Sequence, residues 1–333
     1  MIKKIEKSIY TSFYYKFNSC LQHSPLSANL TSAQMSGNNS SLQFSSLVLE
    51  GNDVFAPTPR LDPDAMSMFG PNTIVVVIDA QNGFAPGGGL GIPGAFEIIP
   101  TVSQLTCLVD PDHLFFSLDS HPDGHKSFKK THEDFGNSTL AVEDGLPVAT
   151  WLLPNGEPHK QNVWPVHCVK GSADEKIITG IVVPEGAKII PKGQLVNVDS
   201  YSIKGDQFDC KFEKTPYEDM VRALGAKFCV MVGLALKFCV TASAIDTQKM
   251  GIKCFVVLDG CRAIEFHQNP TEMAKIIKEL TDAGVTVVQK ITDLRKFPEL
   301  FGEPEQEDKS SSSSSADAGG NAAAGGGSAA NTA

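Results

Sequence analysis

No uninterrupted apolar run reaches the roughly 20 residues that a helix needs to cross a bilayer, and no basic start, apolar run and small-residue cleavage site marks a secretory leader. The expectation is an intracellular, cytoplasmic chain with no membrane partner. The N-terminal segment leaves a nuclear or organellar location open. None of the eight cysteines forms a Cys-x-x-Cys pair, and in 333 residues they are too scattered for the disulfide framework of a small secreted domain. That argues against a dithiol redox protein and leaves most of them as reduced, buried thiols. Clustered positive charge is also missing. With 28 Lys and Arg against 38 Asp and Glu, the net charge is -10, and no basic patch is interleaved with aromatics, so a nucleic-acid partner is not expected. The run Gly87-Gly88-Gly89 fits neither a dinucleotide fingerprint nor a phosphate loop.

What is present divides the chain in three. Residues 1–70 are rich in Ser, Asn and Gln, with Glu6 the one acid before Glu50 and no Arg before Arg60, and are expected to be a weakly ordered extension. Residues 307–333, built from Ser310 onward almost wholly of Ser, Ala, Gly and Asn, cannot bury enough apolar surface to offset chain entropy and read as a tail. Between them, in 71–306, short continuous apolar runs recur at Thr73 to Asp79, Leu114 to Asp119, Phe228 to Gly233, Ile252 to Asp259 and Val285 to Val288. Continuous rather than alternating runs are those of parallel strands covered on both faces. Helical patterns alternate with them at Ala95 to Val109, Pro216 to Leu224, Phe238 to Met250 and Pro270 to Ala283. The fold class is therefore α/β, a three-layer αβα sandwich with a mainly parallel central sheet, whose site is expected at the carboxyl ends of strands.

Several side chains at or near those ends can carry chemistry. Asp79 closes VVVID and enters a polar turn; it is a turn or capping residue in one reading and a general base in another. The loop Leu118-Asp119-Ser120-His121-Pro122-Asp123-Gly124-His125 gathers a carboxylate and two imidazoles, and His167 in WPVHCV adds a third, a set suited to Zn²⁺, Fe²⁺ or Mn²⁺. The ordinary alternatives are a polar surface loop and a core histidine. Cys239 follows a strand and starts a helix pattern, where amide groups and the helix dipole are expected to lower a thiol's pKa and to hold an oxyanion; a buried structural thiol is the alternative. Lys192 ends the apolar approach IIPK, and spacing alone does not single it out.

Taken in order, VVVIDAQNGF, LDSHPDGHKSF, WPVHCVKGS, IIPKGQL and VGLALKFCVTASA resemble the nicotinamidases of the isochorismatase-like cysteine hydrolase superfamily, over roughly Asn72 to Ile264. The resemblance implies a catalytic triad of Asp79, Lys192 and Cys239 and metal ligands Asp119, His121 and His167, with His125 either a fourth ligand or a neighbour of the set. It implies a pyridine pocket lined by Phe84, Trp164 and Tyr201, an oxyanion hole from the amides of Ala235 and Cys239, and a cis Leu234–Ala235 bond. The implied reaction is metal-dependent hydrolysis of nicotinamide to nicotinic acid and ammonia through a cysteine thioester, feeding NAD salvage. The implied cofactor is one divalent ion, Zn²⁺ first and Fe²⁺ or Mn²⁺ as alternatives. Departures are Gly83 where many relatives carry Asp, Lys237 two residues before the nucleophile, and an apparent added loop at Trp151 to Lys160. Another isochorismatase-like amide hydrolase, acting on ureidoacrylate or an N-carbamoyl group, or a non-catalytic α/β binding module, is the alternative. Self-association is left open.

Overall fold

The computed structural model describes residues 69–134, 140–143 and 145–302; the expected tail and nearly all of the expected N-terminal extension lie outside them. Six strands form the main sheet: β1 (Thr73–Ile78), β2 (Leu114–Asp119), β6 (Lys188–Lys192), β7 (Phe228–Leu234), β8 (Lys253–Arg262) and β9 (Thr286–Val288). Their spatial order is β6-β2-β1-β7-β8-β9, and every adjacent pair is parallel. All six residues of β1 are buried, as a strand with helices on both sides requires. The flanking helices are α1 (Ile99–Cys107), α2 (Lys129–Asp134), α3 (Tyr217–Ala223), α4 (Thr241–Lys249) and α5 (Pro270–Asp282). Asn269 caps α5 by accepting from the Glu272 amide at 3.0 Å, Pro270 takes the first turn, and Gly284 (φ 84°) lies just past the end. Among the described residues no helix is long and apolar enough to cross a membrane.

Two predicted helices begin later than their apolar patterns. Ala95–Ile98 is a tighter 3₁₀ turn before α1, and Leu236–Val240 is a wide π-type turn before α4. Residues 151–160, expected to be an added loop, comprise the end of one strand, a turn and the start of the next, within a separate antiparallel sheet formed by β3 (Ala141–Glu143), β4 (Leu146–Leu152) and β5 (Pro158–Asn162). Leu153–Glu157 closes its second hairpin, with Gly156 at φ 80° and reciprocal turn hydrogen bonds from Leu153 N to Glu157 O and Gly156 N to Leu153 O. β4 hides Val148, Ala149 and Trp151 and exposes Thr150 and Leu152, a partial alternation that signals a half-covered strand.

Strand order is what assembles the site. The four neighbours β6, β2, β1 and β7 end at Lys192, Asp119, Ile78 (with Asp79 next) and Leu234, all on one edge because all run the same way. Asp119 pairs in register with Lys192, and Ile78 with Gly233. Gly233 holds φ 132°, and a Cβ there would lie 2.0 Å from the Ile78 carbonyl oxygen. Gly233→Ala is therefore expected to lower stability by about 3 kcal/mol through backbone clash and a disallowed dihedral; equilibrium urea unfolding of the purified variant checks this.

Candidate active site

Lys192 is fully buried at the end of β6. A buried ammonium needs counter-charge and acceptors, and the neighbouring strand ends supply both. Its three N–H groups are taken by Asp119 Oδ1, the Ser200 carbonyl at 2.8 Å and Cys239 Sγ at 3.4 Å. Asp79 Oδ2 lies 2.9 Å from the same nitrogen, held by charge. Burial opposes the lysine's charge, but Asp119, Asp79 and Cys239 outweigh it and hold the ammonium well above its ordinary pKa.

Asp79 sits one residue past β1 at φ 43°, a left-handed conformation that costs a non-glycine residue about 1 kcal/mol and turns its carboxylate off the strand. Ser117, the one polar residue inside β2's LFFSL, is its partner: the hydroxyl donates to Asp79 Oδ1 at 2.6 Å and accepts from the Asp79 amide at 3.1 Å. Asp79 Oδ2 faces the Lys192 ammonium. Burial raises the Asp79 carboxyl, Lys192 works against that, and Asp119 adds to it, with a raised value as the result.

Cys239 is buried in the π-type turn, with ligand atoms of Asp79, Asp119 and Cys239 all within 4.8 Å of one another. The expectation that a helix start lowers its pKa is reversed. Burial dominates and pushes the thiol well above its ordinary value, with Lys192 opposing. The group is a neutral thiol at neutral pH. The Leu234–Ala235 peptide bond is cis, and Ala235 and Cys239 both line the cavity beside the thiol.

Asp119 joins this cluster to a second one. Its Oδ1 serves Lys192, while its Oδ2 faces His121 Nε2 at 3.5 Å and His167 Nε2 at 3.7 Å. The Nδ1 atoms of both imidazoles lie against backbone carbonyls, Gly193 O at 2.9 Å and Pro165 O at 2.7 Å, which fixes the rings with Nε2 toward the carboxylate. Ligand atoms of Asp119, His121 and His167 come within 4.8 Å of one another, and this donor set fits a divalent cation. Lys192 and then His121 overcome burial to hold Asp119 well below the usual carboxylate range. His121 is raised to about 9, burial opposing and the Asp119 carboxylate prevailing. His125 stands apart from that trio. It stacks on His121 at 4.3 Å, its Nδ1 is engaged by the Ser127 hydroxyl and amide, and its Nε2 faces the Val198 carbonyl at 3.3 Å. Burial, then the charge of His121, lowers it to about 4.

The cavity beside these groups is walled by Phe84, Trp164 and Tyr201, all named from the sequence, and by Phe238, which was not. Phe238 meets the Trp164 ring at 4.8 Å and the Tyr201 ring at 5.6 Å. Sequence reasoning also passed over Gln81, whose amide grips both backbone groups of Asp119 at 2.8 Å, and Asp199, a buried carboxylate in the cavity wall. Gln81 lies in a quoted motif and Ser117 interrupts an apolar run, so both left a trace; Asp199 left none. Of the departures, a Cβ at Gly83 would lie 2.5 Å from Cys168 Sγ, so this chain has no room for the acid, and Lys237 points outward to Glu279.

Comparison with known proteins agrees with this layout. The Isochorismatase domain family matches residues 73–291. The chain is 36% identical over 199 residues to a nicotinamidase of Acinetobacter baylyi, covering 59% of this chain and 84% of that one. It is 32% identical over 225 residues to a nicotinamidase of Saccharomyces cerevisiae, covering 65% and 99%. The crystal structure of the yeast nicotinamidase bound to the inhibitor nicotinaldehyde superposes with a TM-score of 0.57 at 30% identity, covering 66% of this chain and all of that one. With two thirds of its length matched, strand ends included, this chain belongs to the isochorismatase family.

Proposed function

We propose that this chain is a nicotinamidase, hydrolysing nicotinamide to nicotinic acid and ammonia, with Asp79, Lys192 and Cys239 as catalytic residues. One observation carries the reading: a single ammonium, Lys192, touches a buried base, a buried thiol and the carboxylate that faces two imidazoles. The first three suit acyl transfer from an amide. The last suits a cation beside an aromatic cavity, and so a substrate whose ring offers a lone pair. The curated relatives reported above are nicotinamidases, which supports the same substrate.

Because the Cys239 thiol is neutral, attack requires that its proton leave. Asp79, buried beside the thiol and with its own pKa raised, takes it as Sγ bonds to the carboxamide carbon. The amides of Ala235 and Cys239 hold the resulting oxyanion. Asp79 returns the proton to the departing nitrogen, ammonia leaves, and a thioester remains. Water then adds to the thioester, giving up a proton to Asp79, and collapse releases nicotinic acid and restores the thiol. Lys192 stays charged throughout and steadies the alternating charge on its two partners. Asp119, His121 and His167 would hold the divalent ion, Zn²⁺ by the preference of such a donor set, with His125 packed behind His121. When bound, that ion supplies a Lewis acid for the pyridine nitrogen. Phe84, Trp164 and Tyr201 flank the ring.

Three outcomes test this. Cys239→Ala should cut ammonia release from nicotinamide by about 10³-fold or more, the usual cost of deleting a nucleophile; turnover near that of the unmodified chain would remove the proposed thioester. His167→Ala should purify with far less than one divalent ion per chain by elemental analysis, and chelated unmodified chain should regain activity on adding Zn²⁺. The acid limb of kcat/KM should reflect Asp79, active as the carboxylate and lost as pH falls through its raised pKa. Ser117→Ala removes a hydrogen bond that favours the carboxylate, so that limb should move to higher pH by about 1 unit, whereas Ser117→Thr should hold it near its original place.

A further inference from the structure

The antiparallel sheet β3-β4-β5 reaches the cavity through one side chain. Gln161, on β5 and 8% exposed, directs its amide inward. Its Nε2 donates to Asp199 Oδ2 at 2.5 Å and to the Tyr201 hydroxyl at 3.1 Å. Its Oε1 accepts from Gln207 Nε2 at 2.9 Å and lies 2.9 Å from His159 Nε2. Both inward partners line the cavity. The Tyr201 hydroxyl also accepts from Trp164 Nε1 at 3.4 Å, so three wall residues share one polar junction. The other oxygen of Asp199 accepts from the Ser200 amide at 2.8 Å, which leaves Gln161 as the side-chain donor to this buried carboxylate among the described residues. A buried carboxylate deprived of a donor must turn elsewhere, and the ligand atoms of His121 and His125 lie within 4.8 Å of it.

Resting on the nicotinamidase reading, we infer that Gln161 is a positioning residue through which the antiparallel sheet sets substrate specificity: it fixes the Asp199 carboxylate and the Tyr201 hydroxyl in the ring-binding wall. It touches none of the reacting groups. Trp151, buried between His132 and His159 and donating from Nε1 to the Asn197 carbonyl at 2.9 Å, anchors the sheet to the segment that carries Asp199 and Tyr201. The wall is therefore held in part by a sheet other than the one that carries the strand-end residues.

Gln161→Met keeps the side chain's length and removes all four polar contacts. The expected result is a KM for nicotinamide raised about tenfold with kcat within about twofold, and an unchanged content of divalent ion. The exposed Gln207→Ala, which removes one partner of Oε1 and carries no folding risk, should shift KM the same way by a smaller factor. A readout without substrate runs beside these. The chain has two tryptophans, so its ¹H–¹⁵N spectrum shows two indole N–H signals, and Trp164→Phe identifies one. In ligand-free Gln161→Met the Trp164 signal should move. An unmoved signal overturns the inference, as does a kcat that falls in step with loss of bound ion. If the unmodified chain proved inert toward nicotinamide, the activity reading alone would fail, and the indole signal would decide for or against the junction.

Discussion

Everything at the site is arranged around an ammonium group taken fully out of water. Lys192 could be buried only if the carboxyl edge of the sheet met it with charge and acceptors, since an uncompensated buried charge costs several kcal/mol. The order β6-β2-β1-β7 satisfies this by placing Asp119, Asp79 and Cys239 on successive neighbours of the lysine's own strand. The parallel sheet is thus more than a scaffold. An antiparallel neighbour at any of the four positions would carry its terminal residue to the opposite edge.

The electrostatics divide the work. The Lys192 ammonium is shared among Asp119, Ser200, Cys239 and Asp79, whose Oδ2 lies 2.9 Å away. Burial lifts both the Asp79 carboxyl and the Cys239 thiol, whose ligand atoms lie within 4.8 Å of each other, so neither group is driven to ionise by its surroundings alone.

Much of this was legible in the residues. Continuous apolar runs gave the strands, and Asp79, Asp119 and Cys239 stood out because each lies at or just past a strand end. Lys192 did not, because nothing in IIPKGQL reveals that the edge strand ends beside β2; the register of Asp119 with Lys192 is a tertiary fact. The helix-start argument for Cys239 led to an expected lowering of its pKa, whereas burial raises it, since the dipole is local and the burial is not. The antiparallel sheet was missed in part because β5, Pro-His-Lys-Gln-Asn, has no apolar alternation and its strand character comes from pairing with β4. Gln161 was invisible for the same reason. A polar residue on a polar strand declares nothing until its partners 38 and 40 positions away fold against it.

Asp119 gives one oxygen to the lysine and the other to the imidazoles, and that division has a consequence for how such a chain can diverge. A descendant that discarded the cation could dispense with His121 and His167 separately, since each rests on a backbone carbonyl that another donor or a water can satisfy. It could not discard Asp119, because the lysine would then lose half of its buried counter-charge. Lineages that abandon the ion should therefore keep the acid, as a relic of a centre whose other members have gone.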